Sequence, residues 1–470
     1  MGKARGSVRS RLRSRLRSRW GVALAVLVLI AAVVGVAAVT PTFREPDAPV
    51  ASAPEPDPVL ASPAVAPVPA DAPRPDPAAL ATTLAPQLRN PDLGRFTGSV
   101  ADAITGEVLW STDPDTPMTP ASTTKILTAA AAMLALPSDH RVTTKVVQGD
   151  RPGQAVLVGE GDPTLTAQPI GTPGFYDGGA RIDDLADQIR RSGVQITSIG
   201  VDLGAYSGPS SADGWFPGDV AAGYIAPIEP VTLDGGRSVP TVDESPRSAT
   251  PGLDTGRALA RALGLDPAVV SAESAPSGAG SLATVQSAPL RQRLGQMIGF
   301  SDNVLAEAVG REIAAGTGKP TSFDGAVDAV LSTLRGNGVD VDGVRLADTS
   351  GLSVDNRIPA RVLSAIVTAA AGPVDTRTHA EALRPMLDYL PVAGATGTLA
   401  ARYASGDRTA AGWLRAKTGT LSNASALAGY VVDSSGRVLT FALMSNDRPP
   451  EVGRPALDAV ASTLRSCGCT

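Results

Sequence analysis

The fold class predicted by the sequence is α+β: an antiparallel sheet flanked by helices, interrupted by a mostly β insertion and preceded by a transmembrane helix and a disordered linker. Three patterns carry the prediction. Strand-like alternation occurs at both ends of the body, as a hairpin near residue 100 and as three strands after residue 413. Helical periodicity dominates from Pro289 to Leu387. Between an early alanine-rich helix and that region the period switches to strands for a long stretch. The expected boundaries are a basic segment at 1–20, a membrane span at 21–40, a linker at 41–80, a main domain formed by 81–147 with 286–470, and an inserted domain at 148–285.

Taken in order, Gly21 to Val39 reads GVALAVLVLIAAVVGVAAV without a charge, long enough as a helix to cross roughly 30 Å of hydrocarbon. Lys3 and the arginines at 5, 9, 11, 13, 15, 17 and 19 precede it, which places the N-terminus in the cytoplasm and the body outside. Val36-Ala37-Ala38 offers small residues to a signal peptidase, but the apolar run exceeds the roughly 7–15 residues of a cleaved signal, so a retained anchor is expected. Pro41 to Ala78 is dominated by Pro, Ala, Asp and Val, a composition that cannot bury a core and reads as an extended spacer. A short helix near Ala79 opens the body. Gly98–Ala103 and Glu107–Trp110 then form strands around a Thr105-Gly106 turn.

The run Ile126–Met133 favours helix, with Thr119 as cap and Pro120 in the first turn. Strands are expected at Val142–Val147, Ala155–Val158 and Ile196–Leu203, a turn at Gly159–Leu165 and a helix at Ile182–Arg191. Leu290, Leu294, Met297 and Ile298 share a helical face, and a second helix, Val304–Ile313, starts behind the Ser301-Asp302 caps. Helices at Ala326–Leu334, Ala360–Ala371 and Arg377–Leu387 follow. Strands at Trp413–Gly419, Ala426–Val432 and Val438–Met444 lead to a closing helix from Pro455 to about Leu464.

Composition excludes several classes. The net charge of −5 hides an asymmetry, because setting aside the eight basic residues of the head leaves 33 basic against 46 acidic ones. An acidic body argues against a nucleic-acid partner. Cys467 and Cys469 are the only cysteines and no histidine lies near them, so no metal site or cofactor is expected; a local disulfide and two inert thiols both fit the pair. His140 and His379 lack a Gly-x-Ser-x-Gly elbow, which disfavours a Ser-His-Asp hydrolase.

The chemistry centres on Ser122-Thr123-Thr124-Lys125. A serine hydroxyl needs a base within hydrogen-bond reach, and on a helix the lysine at i+3 shares its face. Ser122 also falls near the positive end of the helix dipole, which favours a developing oxyanion. Two further stretches complete a pattern: Ser301-Asp302-Asn303 before a helix and Lys417-Thr418-Gly419 on a strand.

In this order and context, the three motifs resemble those of the penicillin-binding protein and serine β-lactamase superfamily. Within it, the chain from about Leu84 to Leu464 resembles the D-alanyl-D-alanine carboxypeptidase/endopeptidase family, the class C penicillin-binding proteins. Leu157–Leu165, Trp215-Phe216-Pro217 to Tyr224–Pro227, Ser350-Gly351-Leu352-Ser353, Leu390–Gly394 and the long gap from Lys125 to Ser301 extend the likeness. The resemblance implies the penicillin-binding, β-lactamase-like transpeptidase fold and cleavage of D-Ala-D-Ala through an acyl-enzyme at Ser122. Lys125, kept neutral by burial and by Lys417, would take the proton. Ser301 would relay a proton to the leaving amine, and Asn303 would hold the substrate amide and Lys125 together. Lys417 and Thr418 would bind the terminal carboxylate, Gly419 would leave room on the strand, and the backbone N–H groups of Ser122 and Thr420 would form the oxyanion hole. Gly351 and Leu352 would contact substrate. The implied partners are peptidoglycan stem peptides, β-lactams as acylating inhibitors and, through the N-terminal helix, the membrane. A β-lactamase-like hydrolase and an idle envelope scaffold are the alternative readings. Two positions depart from the family pattern: Glu160 stands where glycine is usual, and Val354 where a basic residue is common.

Overall fold

The structure is a computed structural model that describes residues 71–374 and 379–469. The expected membrane span and residues 41–70 of the expected linker lie outside the described residues. Among those described, no helix is long and apolar enough to cross a membrane.

The chain begins with α1 (Pro77–Leu88), β1 (Arg95–Asp102), β2 (Val108–Thr112), β3 (Pro117–Met118) and α2 (Lys125–Ala135). The middle part contains β4 (Thr143–Gln148), β5 (Gln154–Gly159), β6 (Asp162–Leu165), α3 (Ile182–Ser192), β7 (Ser198–Asp202) and β8 (Val231–Leu233). It ends with α4 (Pro251–Ala262), β9 (Val270–Ala272) and β10 (Ser281–Gln286). There follow α5 (Leu290–Gly299), α6 (Asn303–Gly316), α7 (Phe323–Gly336), β11 (Ile358–Pro359), α8 (Ala360–Ala371), α9 (Ala380–Leu383) and α10 (Pro385–Tyr389). Three strands, β12 (Leu414–Leu421), β13 (Ala424–Val432) and β14 (Val438–Asn446), precede α11 (Pro450–Ser466).

The main sheet has the order β12-β13-β14-β1-β2. Its pairings are antiparallel and its two sequence ends meet, with Val100 opposite Phe441. Period-2 alternation decides which side chains face which layer. Leu427 and Val431 on β13, with Leu439, Phe441 and Leu443 on β14, pack with Leu80 and Leu84 of α1 and Leu457, Val460 and Leu464 of α11. The opposite face presents Ala426, Ala428, Ala442 and Met444 to a core shared with α2, α5–α8. The three alanines let the backbone carrying Ser122 and Lys125 approach the sheet.

The second sheet, β10-β4-β5-β7-β9, is mixed: β7 pairs parallel with both β5 and β9. Helices α3 and α4 pack on it through Leu185, Ile189 and Leu259, so the insertion is α/β in character and not the mostly β unit expected. The strand β4, placed by the expected boundary on the main-domain side of residue 148, pairs with β5 and β10 in this sheet.

Four local expectations are corrected. Asp162–Leu165 is a fully buried strand, not part of a turn, and pairs parallel with β8. The polar Asp162 reads as a turn residue, yet its carboxylate accepts from both the N–H (2.8 Å) and hydroxyl (2.5 Å) of Thr164 inside the fold. The helix expected at Arg377–Leu387 is divided into α9 and α10 at Pro385, whose ring cannot continue an unbroken helix; 375–378 lie outside the described residues. The final helix begins at Pro450, so Pro455 is internal to it. Thr119 does not cap the serine helix: no side chain does. Cys467 and Cys469 are joined by a disulfide.

Candidate active site

Ser122 lies in a 3-10 turn, Ala121–Thr124, that runs directly into α2. The turn is closed by two hydroxyls, Thr123 donating to the Pro120 carbonyl (2.7 Å) and Thr124 to that of Ala121 (2.9 Å). The i+3 relation of serine and lysine holds across this junction, with Lys125 Nζ 3.1 Å from Ser122 Oγ. Ala121, at φ 48°, and Ser301, at φ 61°, are both left-handed, a conformation costing about 1–3 kcal/mol for a non-glycine residue and held only where its surroundings over-determine it. Each adjoins or is a serine of the site.

Lys125 is completely buried. Besides Ser122 it donates to Asn303 Oδ1 (2.6 Å) and the Ser350 carbonyl (2.7 Å), so its three donors have three acceptors. Burial pulls its pKa down to about 8, against the opposing charges of Asp348, Asp302 and Glu307. Lys417, equally buried, donates to Ser301 Oγ and to the Thr418 carbonyl, both at 2.8 Å. Burial, followed by the positive charge of Lys125, holds its pKa well below the usual lysine range. The charge of Lys125 thus works against the charged form of Lys417.

Asp302 caps α6 by accepting from Leu305 N–H at 2.8 Å, which fixes Ser301 and Asn303 on either side. Burial works against its charge, yet Arg237 and Arg247 hold its pKa far below the ordinary carboxylate range. Arg237 (2.9 Å) and the Tyr176 hydroxyl (2.7 Å) both donate to it. Asn303 Nδ2 donates to the Tyr224 carbonyl at 2.9 Å, so in this state its amide is engaged by the insertion.

Ser122, Ser301, Asn303, Gly351, Leu352 and Thr420 all line one cleft of about 610 Å³. The lysines reach it from below, through their serines. Thr418 donates to the Thr398 hydroxyl at 2.8 Å, and Thr398 lines the cleft in turn. Gly351 and Gly419 act first on the backbone: a Cβ on Gly351 would lie 2.0 Å from the Ala121 carbonyl oxygen, and one on Gly419 2.5 Å from that of Pro120. They let two chain segments close around Ser122. The departure at Glu160 is harmless, its exposed carboxylate accepting from Thr143 N–H at 2.9 Å. Val354 lines the cleft, and nearby Arg357 is occupied by the carbonyls of Val354 and Asn356, both at 2.8 Å.

Sequence reasoning missed Tyr176, Arg237, Thr398 and the cleft walls Glu244 and Arg454, and gave no role to Phe216 and Asp219, which lie in the Trp215–Pro227 stretch that extends the likeness. No local pattern marks the missed residues, because what they touch in the site lies in other segments of the chain.

With this arrangement in view, likeness to known proteins becomes decisive. A family described as D-Ala-D-Ala carboxypeptidase 3 (S13) matches residues 80–249 and 241–466. The chain belongs to this S13 family. A second match, to a carboxypeptidase Rv3627c-like N-terminal domain, covers residues 13–67. Among curated relatives of the S13 chain, carboxypeptidase DacB of Mycolicibacterium smegmatis is 53% identical over 453 residues, 95% of this chain and 97% of the relative. Carboxypeptidase Rv3627c of Mycobacterium tuberculosis is 52% identical over 424 residues, 89% and 91% of the two chains. In three dimensions, penicillin binding protein 4 of Haemophilus influenzae superposes with a TM-score of 0.66 at 20% identity, covering 83% of this chain and all of that one. That similarity establishes the penicillin-binding fold.

Proposed function

We infer that this S13 enzyme is a penicillin-binding serine D-Ala-D-Ala carboxypeptidase/endopeptidase acting on peptidoglycan stem peptides. In this reading Ser122 Oγ attacks the carbonyl of the D-Ala-D-Ala amide while neutral Lys125 Nζ takes the hydroxyl proton. The C–N bond breaks as Ser301, backed by Lys417, passes a proton to the leaving amine. D-alanine, or in the endopeptidase case the amine-bearing acceptor peptide of the cross-link, departs and leaves the donor peptide as the Ser122 ester. Water then hydrolyses the Ser122 ester and regenerates the hydroxyl. Lys417 and Thr418 receive the substrate's terminal carboxylate, while the backbone N–H groups of Ser122 and Thr420 face the developing oxyanion. The carrying observation is the pairing of two buried lysines with two serines on one cleft, Lys125 with Ser122 at 3.1 Å and Lys417 with Ser301 at 2.8 Å.

A fluorescent penicillin is expected to label the wild-type protein and not Ser122→Ala. Mass spectrometry of defined muropeptides should show loss of one D-alanine, or of a cross-link, with the wild type alone. Equal labelling of both proteins would sink the assignment of the nucleophile.

We also propose that residues 1–40 hold the protein in the cytoplasmic membrane with the catalytic body outside, a reading supported by the arginine-rich flank and the uncharged run. Cell fractionation should find the full-length chain in membranes. Mature protein in the medium starting near Val39 would overturn the anchor.

A further inference from the structure

A buried carboxylate that none of these roles uses lies behind Lys125. Glu307 follows Asn303 by four residues on α6, so the two share a helix face. It is completely buried. One oxygen, Oε1, accepts from the backbone N–H groups of Thr349 (3.0 Å) and Ser350 (2.8 Å). The other accepts from the Thr349 hydroxyl (2.9 Å), and Arg311, one turn further along α6, pairs with it at 3.5 Å.

What Glu307 grips is the segment that touches the reacting pair. Ser350 is held at both ends, its N–H by Glu307 and its carbonyl by Lys125 Nζ at 2.7 Å. The Thr349 carbonyl accepts from Thr128 Oγ1 at 2.6 Å, on the same face of α2 as Lys125. A chain of contacts therefore runs Arg311, Glu307, Ser350, Lys125. Neutral acceptors suffice to satisfy buried N–H groups, and an anion is costly to bury. A charge at this position does something that an amide would not: it opposes the positive charge of the ammonium it stands behind.

We infer that Glu307 is a positioning residue for acylation, fixing the Ser350 carbonyl that orients Lys125 and placing negative charge behind its amine. The inference rests on the reading of Ser122 and Lys125 as nucleophile and base. The charged groups acting on Lys125 are Asp348, Asp302 and Glu307, while Lys417, on β12, is itself acted on by Lys125. Those acting on Glu307 are Asp348 and Arg311. Burial first, and then the charge of Asp348, pushes the Glu307 pKa up to about 7, against the pull of Arg311. Its charge is thus present where Lys125 titrates and fades just below.

The test is the pH profile of penicillin acylation in Glu307→Gln, which keeps the shape and one acceptor and removes the charge. The alkaline plateau should fall about tenfold, because the Ser350 carbonyl is less firmly held. The midpoint of the acid limb should move down by about half a pH unit or more, because the anion that stabilised the ammonium is gone. An unchanged midpoint overturns the inference whatever happens to the plateau, since a residue that only braces the fold lowers the rate equally at every pH. Should Glu307→Gln not fold, Thr349→Val serves in its place. It removes one hydrogen bond to the carboxylate, raises the Glu307 pKa and should move the limb in the same direction; a wild-type limb overturns the inference. Ser122→Ala, run alongside, separates the two levels. Labelling of that variant would defeat the underlying reading, whereas its silence with an unmoved limb in Glu307→Gln defeats the role of Glu307 alone.

Discussion

Replacement of Lys125 by arginine is expected to lower the rate of Ser122 acylation about 10³-fold or more while leaving the thermal melt close to that of the wild type. The charge is conserved, but a guanidinium stays protonated at every pH at which the protein is folded and cannot accept the serine proton. A general base in hydrogen-bond reach contributes about 10²–10⁴-fold, and Lys125 stands 3.1 Å from its serine. Wild-type acylation should rise with pH through about 8, as burial leads Lys125 to give up its proton there, and the arginine variant should show no such limb. Stopped-flow acylation by a chromogenic β-lactam measures both. Near-wild-type rates for the arginine variant would remove Lys125 from the role of base.

A second large effect is expected far from any proton transfer. Gly351→Ala should reduce acylation about 10²-fold, although the residue has no side chain to offer. Its φ of 84° costs an alanine about 1–2 kcal/mol, and the new methyl would lie 2.0 Å from the Ala121 carbonyl oxygen. That oxygen belongs to backbone beside Ser122, so relief comes only by moving the nucleophile, and a displacement of about 1 Å is enough to cost 10²-fold. Gly336→Ala is the matched control, since nothing lies within 4 Å of its Cβ position; it should acylate normally. Equal rates for both variants would show that the Gly351 contact does not hold the serine in place.

Much of the site was legible because its chemistry is carried by residue types that keep fixed spacing on regular elements. Ser122 with Lys125, Ser301 with Asn303, and Lys417 on a strand each announce themselves within a few residues. The face formed by Leu290, Leu294, Met297 and Ile298 was equally legible, and all four are buried in one core. What stayed hidden depends on partners remote in sequence. Glu307 is one more polar residue at helical spacing until Thr349 and Ser350 are seen to donate to it. Helix α4 carries Gly252 and Gly256, which break its apolar stripe; a Cβ on Gly256 would meet Val201 at 2.6 Å, so the glycine serves close packing against β7. The 3-10 turn at Ser122 follows from hydroxyls of Thr123 and Thr124 bonding back to Pro120 and Ala121, a choice that helix propensity does not register.

The pairing of β1 with β14 sets the order in which the molecule can become active. Arg95 to Asp102 leave the ribosome long before their neighbours on one side, Leu439 to Asn446. Closing a loop of that length is entropically unfavourable and slow, because no gain from pairing arrives until the ends meet. Lys417 and Thr418 lie on β12, three strands along the sheet from β1, so they cannot stand beside Ser122 before the C-terminal strands arrive. A nascent chain that has not yet reached β12–β14 therefore carries Ser122 without a complete site. Completion of the arrangement around Ser122 waits for β12–β14, and loss of those three strands removes Lys417 and Thr418 together with most of the sheet.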